Sequence, residues 1–158
     1  MMFDNPDALM QAIENAVELA MRNDLSKVAV DIVKDQLDKD LYSRPESDYY
    51  VRTGELRNSV IATYDDNFAS RSARGLKRLI IDHNTTRTFM PSGHRSWVTD
   101  RIQNSNIPDW ISNGHQGVLP EPFIGINYFD NSYRRIVEIA VPTLVTSLRA
   151  KGIEAYAL

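Results

Sequence analysis

The chain contains no cysteine. Disulfides and thiolate metal sites are therefore excluded, and thiol usage gives no reading of the redox compartment. Long apolar runs are also lacking. The stretch Ile136–Val141 is far too short to span a bilayer and holds Glu138, so no membrane partner is expected. The opening M-M-F-D-N-P-D is acidic, with no basic region before an apolar one, so no secretory signal is expected there. No serine nucleophile elbow occurs. No phosphate-cradling loop occurs either, because Thr53-Gly54-Glu55 is a lone glycine with no lysine in register. Internal repeats and low-complexity segments are absent.

What is present fits one globular domain over residues 1–158: 42% of residues are hydrophobic and 25% charged, an ordinary balance. The net charge of −3 argues against a dedicated nucleic-acid binder. The charges are unevenly spread. Residues 1–48 hold eleven acids against five bases. Residues 71–101 hold seven bases (Arg71, Arg74, Lys77, Arg78, Arg87, Arg95, Arg101) against Asp82 and Asp100. Three readings stand: a solvated surface, complementary faces between identical subunits, or a phosphate-binding stripe. Under the second, Asp31, Asp35 and Asp38 of one subunit face Arg74, Lys77 and Arg78 of the next.

Asn5-Pro6 marks a helix start, with asparagine as cap and proline at the first helical position. Apolar residues recur at Leu9, Ile13, Val17 and Ala20 or Met21, then at Leu25, Val28, Ile32 and Leu37 or Leu41. That spacing predicts one long helix, kinked if anywhere at Arg22-Asn23-Asp24, ending near Leu41 before Pro45. The rest of the chain is organised around the segment Tyr49–Ser59. Gly54 supplies a turn, Thr53 caps Gly54–Asn58, and Leu56 is its one buried anchor. Strands are expected at Val60–Tyr64 and Leu76–Ile81, forming a hairpin with a long tip.

Residues 82–118 are rich in Asn, Ser, Thr, Gly and Pro and read as a long central loop. A short helix is expected at Ser96–Gln103, another helical turn at Ile107–Ile111, and turns at Asn113-Gly114 and Gln116-Gly117. Pro120–Phe123 is a stiff extended entry to Ile124–Ile126. Asp130 or Asn131 then caps a helix over Ser132–Lys151. Its apolar face is Tyr133, Ile136, Val137, Ala140, Val141, Leu144 and Leu148, kinked or split at Pro142, with Gly152 as its stop. The last residues form a tail or a short edge strand. The fold class is therefore α+β: N-terminal and C-terminal helices packed on a small antiparallel sheet.

Candidate chemistry is sparse. Asp82-His83, Asn104 and His115 loosely match the residue types of His-Asn-His metal nucleases, in which one histidine activates water at a metal-bound phosphate. That motif wants a hairpin running straight into a helix carrying the last histidine, whereas His115 lies between glycines. The plainer reading makes His83, His94 and His115 solvent-facing loop residues. No close ligand pair suggests zinc, and no cofactor is expected. Glu46, Asp48 and Glu55 are read as solvated rather than as an acid–base pair. Tyr49, Tyr50, Trp97 and Trp110 lie among polar loop residues and would suit a protein–protein interface.

Arg52-Thr53-Gly54-Glu55-Leu56-Arg57-Asn58-Ser59-Val60, placed after a long helix, resembles the R-T-G-x-L-R-x-S-I block of the small tail-completion or neck proteins of long-tailed bacteriophages. Trp110–Gly114, then Glu121-Pro122-Phe123-Ile124 and the helix from Ser132, follow the family's order. Residues 82–108 depart from it, being longer and more polar. The resemblance implies an α+β fold without catalysis and a virion protein assembled in the host cytoplasm. It implies a ring of about six or twelve copies at the head–tail junction. The partners it implies are further copies of the chain and neighbouring connector, tail-terminator or tail-tube proteins. DNA would pass through the ring without specific binding. The block residues so marked are Arg52, Thr53, Gly54, Leu56, Ser59, Pro122 and Phe123. Trp97 and Trp110 join the six charged residues above as candidate interface positions.

Overall fold

The computed structural model describes residues 5–44, 54–65, 78–84, 107–114 and 125–157. It is helix-rich with one small antiparallel two-stranded sheet, in keeping with the α+β expectation. The first helix, α1, covers Pro6–Leu19. Asn5 caps it by accepting the Ala8 N–H at 2.7 Å, with Pro6 in the first turn, as the sequence signals. A π-helical turn, Ala20–Leu25, leads directly into α2, Ser26–Leu37. A second π turn, Asp38–Tyr42, ends the run.

The π turns have a cause in the spacing of buried residues. Ala16, Ala20, Leu25, Ala29, Val33, Leu37 and Leu41 are all buried. Their steps are mostly four, with one of five inside the first π turn. A regular helix would carry a four-step row about 40° around its surface at each step. A turn wider by one residue takes up that drift and returns the row to the core side. The wider bonds are present: Ser26 N–H reaches Met21 O, and Ser43 N–H reaches Asp38 O at 2.9 Å.

After Gly54, the short helix α3 covers Glu55–Asn58. Strand β1 (Val60–Asp65) pairs with β2 (Arg78–His83). The second strand therefore lies two residues later than expected and takes Asp82 and His83 out of the central loop. Helix α4 covers Ile107–Asn113, longer than the single turn expected. Helix α5 covers Tyr128–Ala150 and begins four residues earlier than the sequence suggests. Asp130 and Asn131 thus lie inside its first turn rather than capping it. Pro142 neither ends nor splits α5, which runs through it to Ala150. Gly152, with φ +81°, ends the helix in a Schellman motif: its N–H bonds Arg149 O at 2.9 Å, and Ile153 N–H bonds Leu148 O at 3.0 Å. Residues 153–157 form no strand. Arg149 holds them through Ala155 O at 2.9 Å and by lying over the Tyr156 ring.

The chain groups into two compact units. One comprises Met1–Val30, Ala62–Ile81 and Arg135–Leu158, and buries Ala16, Ala20, Leu25 and Ala29. The other comprises Asp31–Ile61 and Asp82–Arg134, and buries Ile32, Val33, Leu37, Leu41, Leu56, Val60, Ile126 and Tyr128.

Candidate functional site

The described part of the Arg52–Val60 block is a compact structural joint. Gly54 takes φ +75°, ψ 0° at the N-cap of α3, so it fills the capping position that the sequence assigned to Thr53. The left-handed conformation is what selects glycine there. The turn closes through Asn58 N–H to Gly54 O at 3.0 Å and Ser59 N–H to Glu55 O at 2.8 Å. Leu56 is the buried anchor expected, and Val60 enters the core as β1 begins. Arg52, Thr53, Pro122 and Phe123 lie outside the described residues.

Ser59 extends this joint into the second unit's interior. Its hydroxyl donates to Leu56 O at 2.7 Å and stands 2.7 Å from His83 Nδ1. A hydroxyl has one proton. With that proton on Leu56 O, Ser59 Oγ accepts from His83 Nδ1–H. Nε2 is then bare and accepts from the Tyr128 hydroxyl at 2.9 Å. Burial lowers the His83 pKa, against the opposing pull of the Asp82 charge, the Leu56 backbone and Asp109. Burial raises that of Tyr128, with Asp109 and Asp82 adding to it. Neutral imidazole and intact phenol are the forms this network requires. The Tyr128 ring stacks on Phe129 at 4.4 Å, and His83 meets both rings edge-on.

His83 is therefore a buried core residue, not the solvent-facing loop histidine expected. Periodicity gave no sign of it, because the expected strand stopped at Ile81. The Ser59–His83 contact also runs the wrong way for catalysis. An activated nucleophile donates its proton to the imidazole, whereas Ser59 accepts from it. Both ring nitrogens are occupied within the chain, so neither is open to a metal or a water. Among the described residues no group of three His, Asp or Glu side chains could hold a metal ion. His94, Asn104 and His115 lie outside them, as do Tyr49 and Tyr50.

A second joint lies at Gly125–Asn127. Ile126 N–H bonds Ile111 O at 3.0 Å and Asn127 N–H bonds Ser112 O at 2.7 Å, satisfying carbonyls at the open end of α4. Gly114 closes α4 with φ +85°. Gly125 lies so close that a Cβ there would overlap backbone atoms of Ser112, Asn113 and Gly114.

Each π turn holds a carboxylate that other elements use. Asp24 bonds the Ser147 hydroxyl and Lys151 Nζ, the latter at 3.0 Å, and these partners lower its pKa. This knot floors an open groove of about 540 Å³ beside Pro142, Thr143 and Thr146. Asp40 accepts from Gln36 at 2.6 Å and Asn131 at 3.0 Å. Asp38 holds Arg57 Nε through both carboxylate oxygens at 2.8 and 2.9 Å.

The Asp38 contact corrects one candidate interface. Of the acidic trio, Asp31 and Asp35 are exposed, but Asp38 is engaged by its own chain. Arg78 is exposed at the start of β2 and also engaged within the chain. Arg74, Lys77 and Trp97 lie outside the described residues. Trp110 belongs to α4, and its side chain is outside them.

The structure exposes a face that the sequence assigned to the core. Tyr133, Val137 and Val141 are 67%, 52% and 50% exposed, one helical turn apart on α5. Ile136, Ala140 and Leu144 of the same expected face are only half-buried. Leu9 and Met10 are also exposed, at the start of α1. In comparisons with protein-family models, curated proteins and solved structures, nothing matches this chain.

Proposed function

We propose that this chain is a structural, non-catalytic virion subunit that assembles with copies of itself into a ring at the head–tail junction of a long-tailed bacteriophage. The ring would join the tail to the capsid and surround the DNA channel. The carrying observation is the joint at Gly54–Val60. There the residues that match the neck-protein block have structural roles: a left-handed glycine, a buried leucine, a serine bonded to the core and an arginine tied to Asp38. Apolar side chains exposed on α1 and α5 give a subunit of this kind surface with which to meet others. Neighbouring connector, tail-terminator or tail-tube proteins would complete its contacts.

The metal-nuclease reading has less support. It needs His83 as base or ligand, and both nitrogens of that ring serve the Ser59 and Tyr128 contacts.

Disrupting the gene in its own phage genome tests the proposal. The expected lysate contains filled heads and separate tails, with joining restored by supplying the chain in trans. Joined, infectious particles made without the chain would overturn it.

A further inference from the structure

We infer that the Tyr133–Val137–Val141 row of α5 is a docking face for the same row of a second copy, in antiparallel register about Val137. The row follows the four-residue ridge that packs helix against helix in the commonest interhelical class. It reads nearly the same in both directions around Val137. Reversing one helix sets Tyr133 against the partner's Val141, and Val137 against its own copy.

The charges beside the row favour this arrangement. Arg134 and Glu138 are exposed on its solvent flank. Neither has an ion pair or hydrogen bond among the described residues. They lie one turn apart, with the base N-terminal to the acid, the less favourable order for a bridge within one helix. In an antiparallel pair the same flanks of the two helices meet. Arg134 of each copy then lies near Glu138 of the other, offset by about 3 Å along the axis at 1.5 Å per residue. A parallel pair would instead set Arg134 against Arg134 and Glu138 against Glu138. The apolar row and its charges are thus self-complementary, as an isologous contact requires.

Such a contact closes on itself at two copies, so it is separate from any face that propagates a ring and does not rest on the ring reading. If that reading holds, the pair describes the subunit before docking.

The absence of cysteine makes the test clean. Single-cysteine variants of the full chain are treated with a short bismaleimide and separated on denaturing gels. Val137→Cys is expected to give a covalent dimer alone. Tyr133→Cys and Val141→Cys are expected to cross-link when mixed and not singly, because in this register like positions lie about 12 Å apart along the axis. Dimers of Tyr133→Cys alone and Val141→Cys alone would overturn the antiparallel register. A product between Val137→Cys and Met10→Cys, with none from Val137→Cys alone, would replace the contact with a head-to-tail one.

A second arm needs no cysteine. Arg134→Glu and Glu138→Arg should each weaken self-association, on the order of tenfold. Mixed together they should pair with each other, since every flank contact is then between opposite charges. Variants that associate as the unaltered chain does, or that fail to pair when mixed, would overturn the inference.

Discussion

The phenol oxygen of Tyr128 lies 2.9 Å from His83 Nε2, although 45 residues separate the two in sequence. The bond joins the end of β2 to the first residue of α5, and Tyr128 is fully buried. Replacing Tyr128 by Phe keeps the ring and removes the donor, leaving a buried imidazole nitrogen without its partner. The expected loss is roughly 1–3 kcal/mol in equilibrium denaturation. Tyr133→Phe, on an exposed side chain, should leave the midpoint unchanged. Equal midpoints for both variants would contradict the network.

The same histidine predicts a pH dependence. Its folded pKa lies below the ordinary value of 6.5, so the unfolded chain takes up a proton first as pH falls. The stability His83 contributes is complete above about pH 6.5 and declines as pH falls from there to the folded pKa. The slope cannot exceed about 1.4 kcal/mol per pH unit for one group. Urea midpoints measured from pH 8 downward should show the decline beginning near pH 6.5. His83→Gln should remove that part of the curve, leaving the carboxylate-driven fall at lower pH. An identical profile in the variant would contradict a buried neutral His83.

Two glycines should respond differently to alanine. At Gly54 a Cβ meets nothing within 4 Å, so the cost is the left-handed backbone alone. About 1–2 kcal/mol is expected for Gly54→Ala, and less for Gly54→Asn. At Gly125 the Cβ would overlap the backbone of α4, which cannot rotate away as a side chain can. Gly125→Ala should displace the 125–127 segment and cost more than Gly54→Ala. If the two alanine variants melt together, or Gly54→Asn is no milder than Gly54→Ala, one of these two causes is misassigned.

The Asp38–Arg57 pair changes how the proposed charge interface should be probed. Reversing Arg74, Lys77 and Arg78 to Glu is expected to leave the fold in place and reduce assembly, and lysines opposite them should restore it. Asp31 and Asp35 suit that role, being exposed. Asp31→Lys with Asp35→Lys should preserve the melting temperature. Adding Asp38→Lys should lower it, because the new ammonium faces Arg57 of its own chain. A triple variant as stable as the double would show that Asp38 has no such role.

The first helix was legible from its cap and its apolar spacing, down to Asn5 and Pro6. The π turns were encoded too, in the step of five from Ala20 to Leu25, but a search for helical period absorbs that extra residue as scatter. Gly54, Leu56 and Gly152 followed from local rules and behave as those rules say. The errors arose where a distant partner decides. His83 looked like loop because its burial depends on Ser59 and Tyr128, each far away in sequence. Asp38 looked like surface because its partner is Arg57. Tyr133, Val137 and Val141 looked like core because periodicity identifies an apolar face without identifying what covers it.

The position of the chain in purified particles of the phage that encodes it tests the central claim most directly. Antibody-linked gold against an epitope tag should mark the junction of capsid and tail on intact virions. Label on the capsid shell or the tail tip, or particles that lack the protein, would contradict a role in the neck.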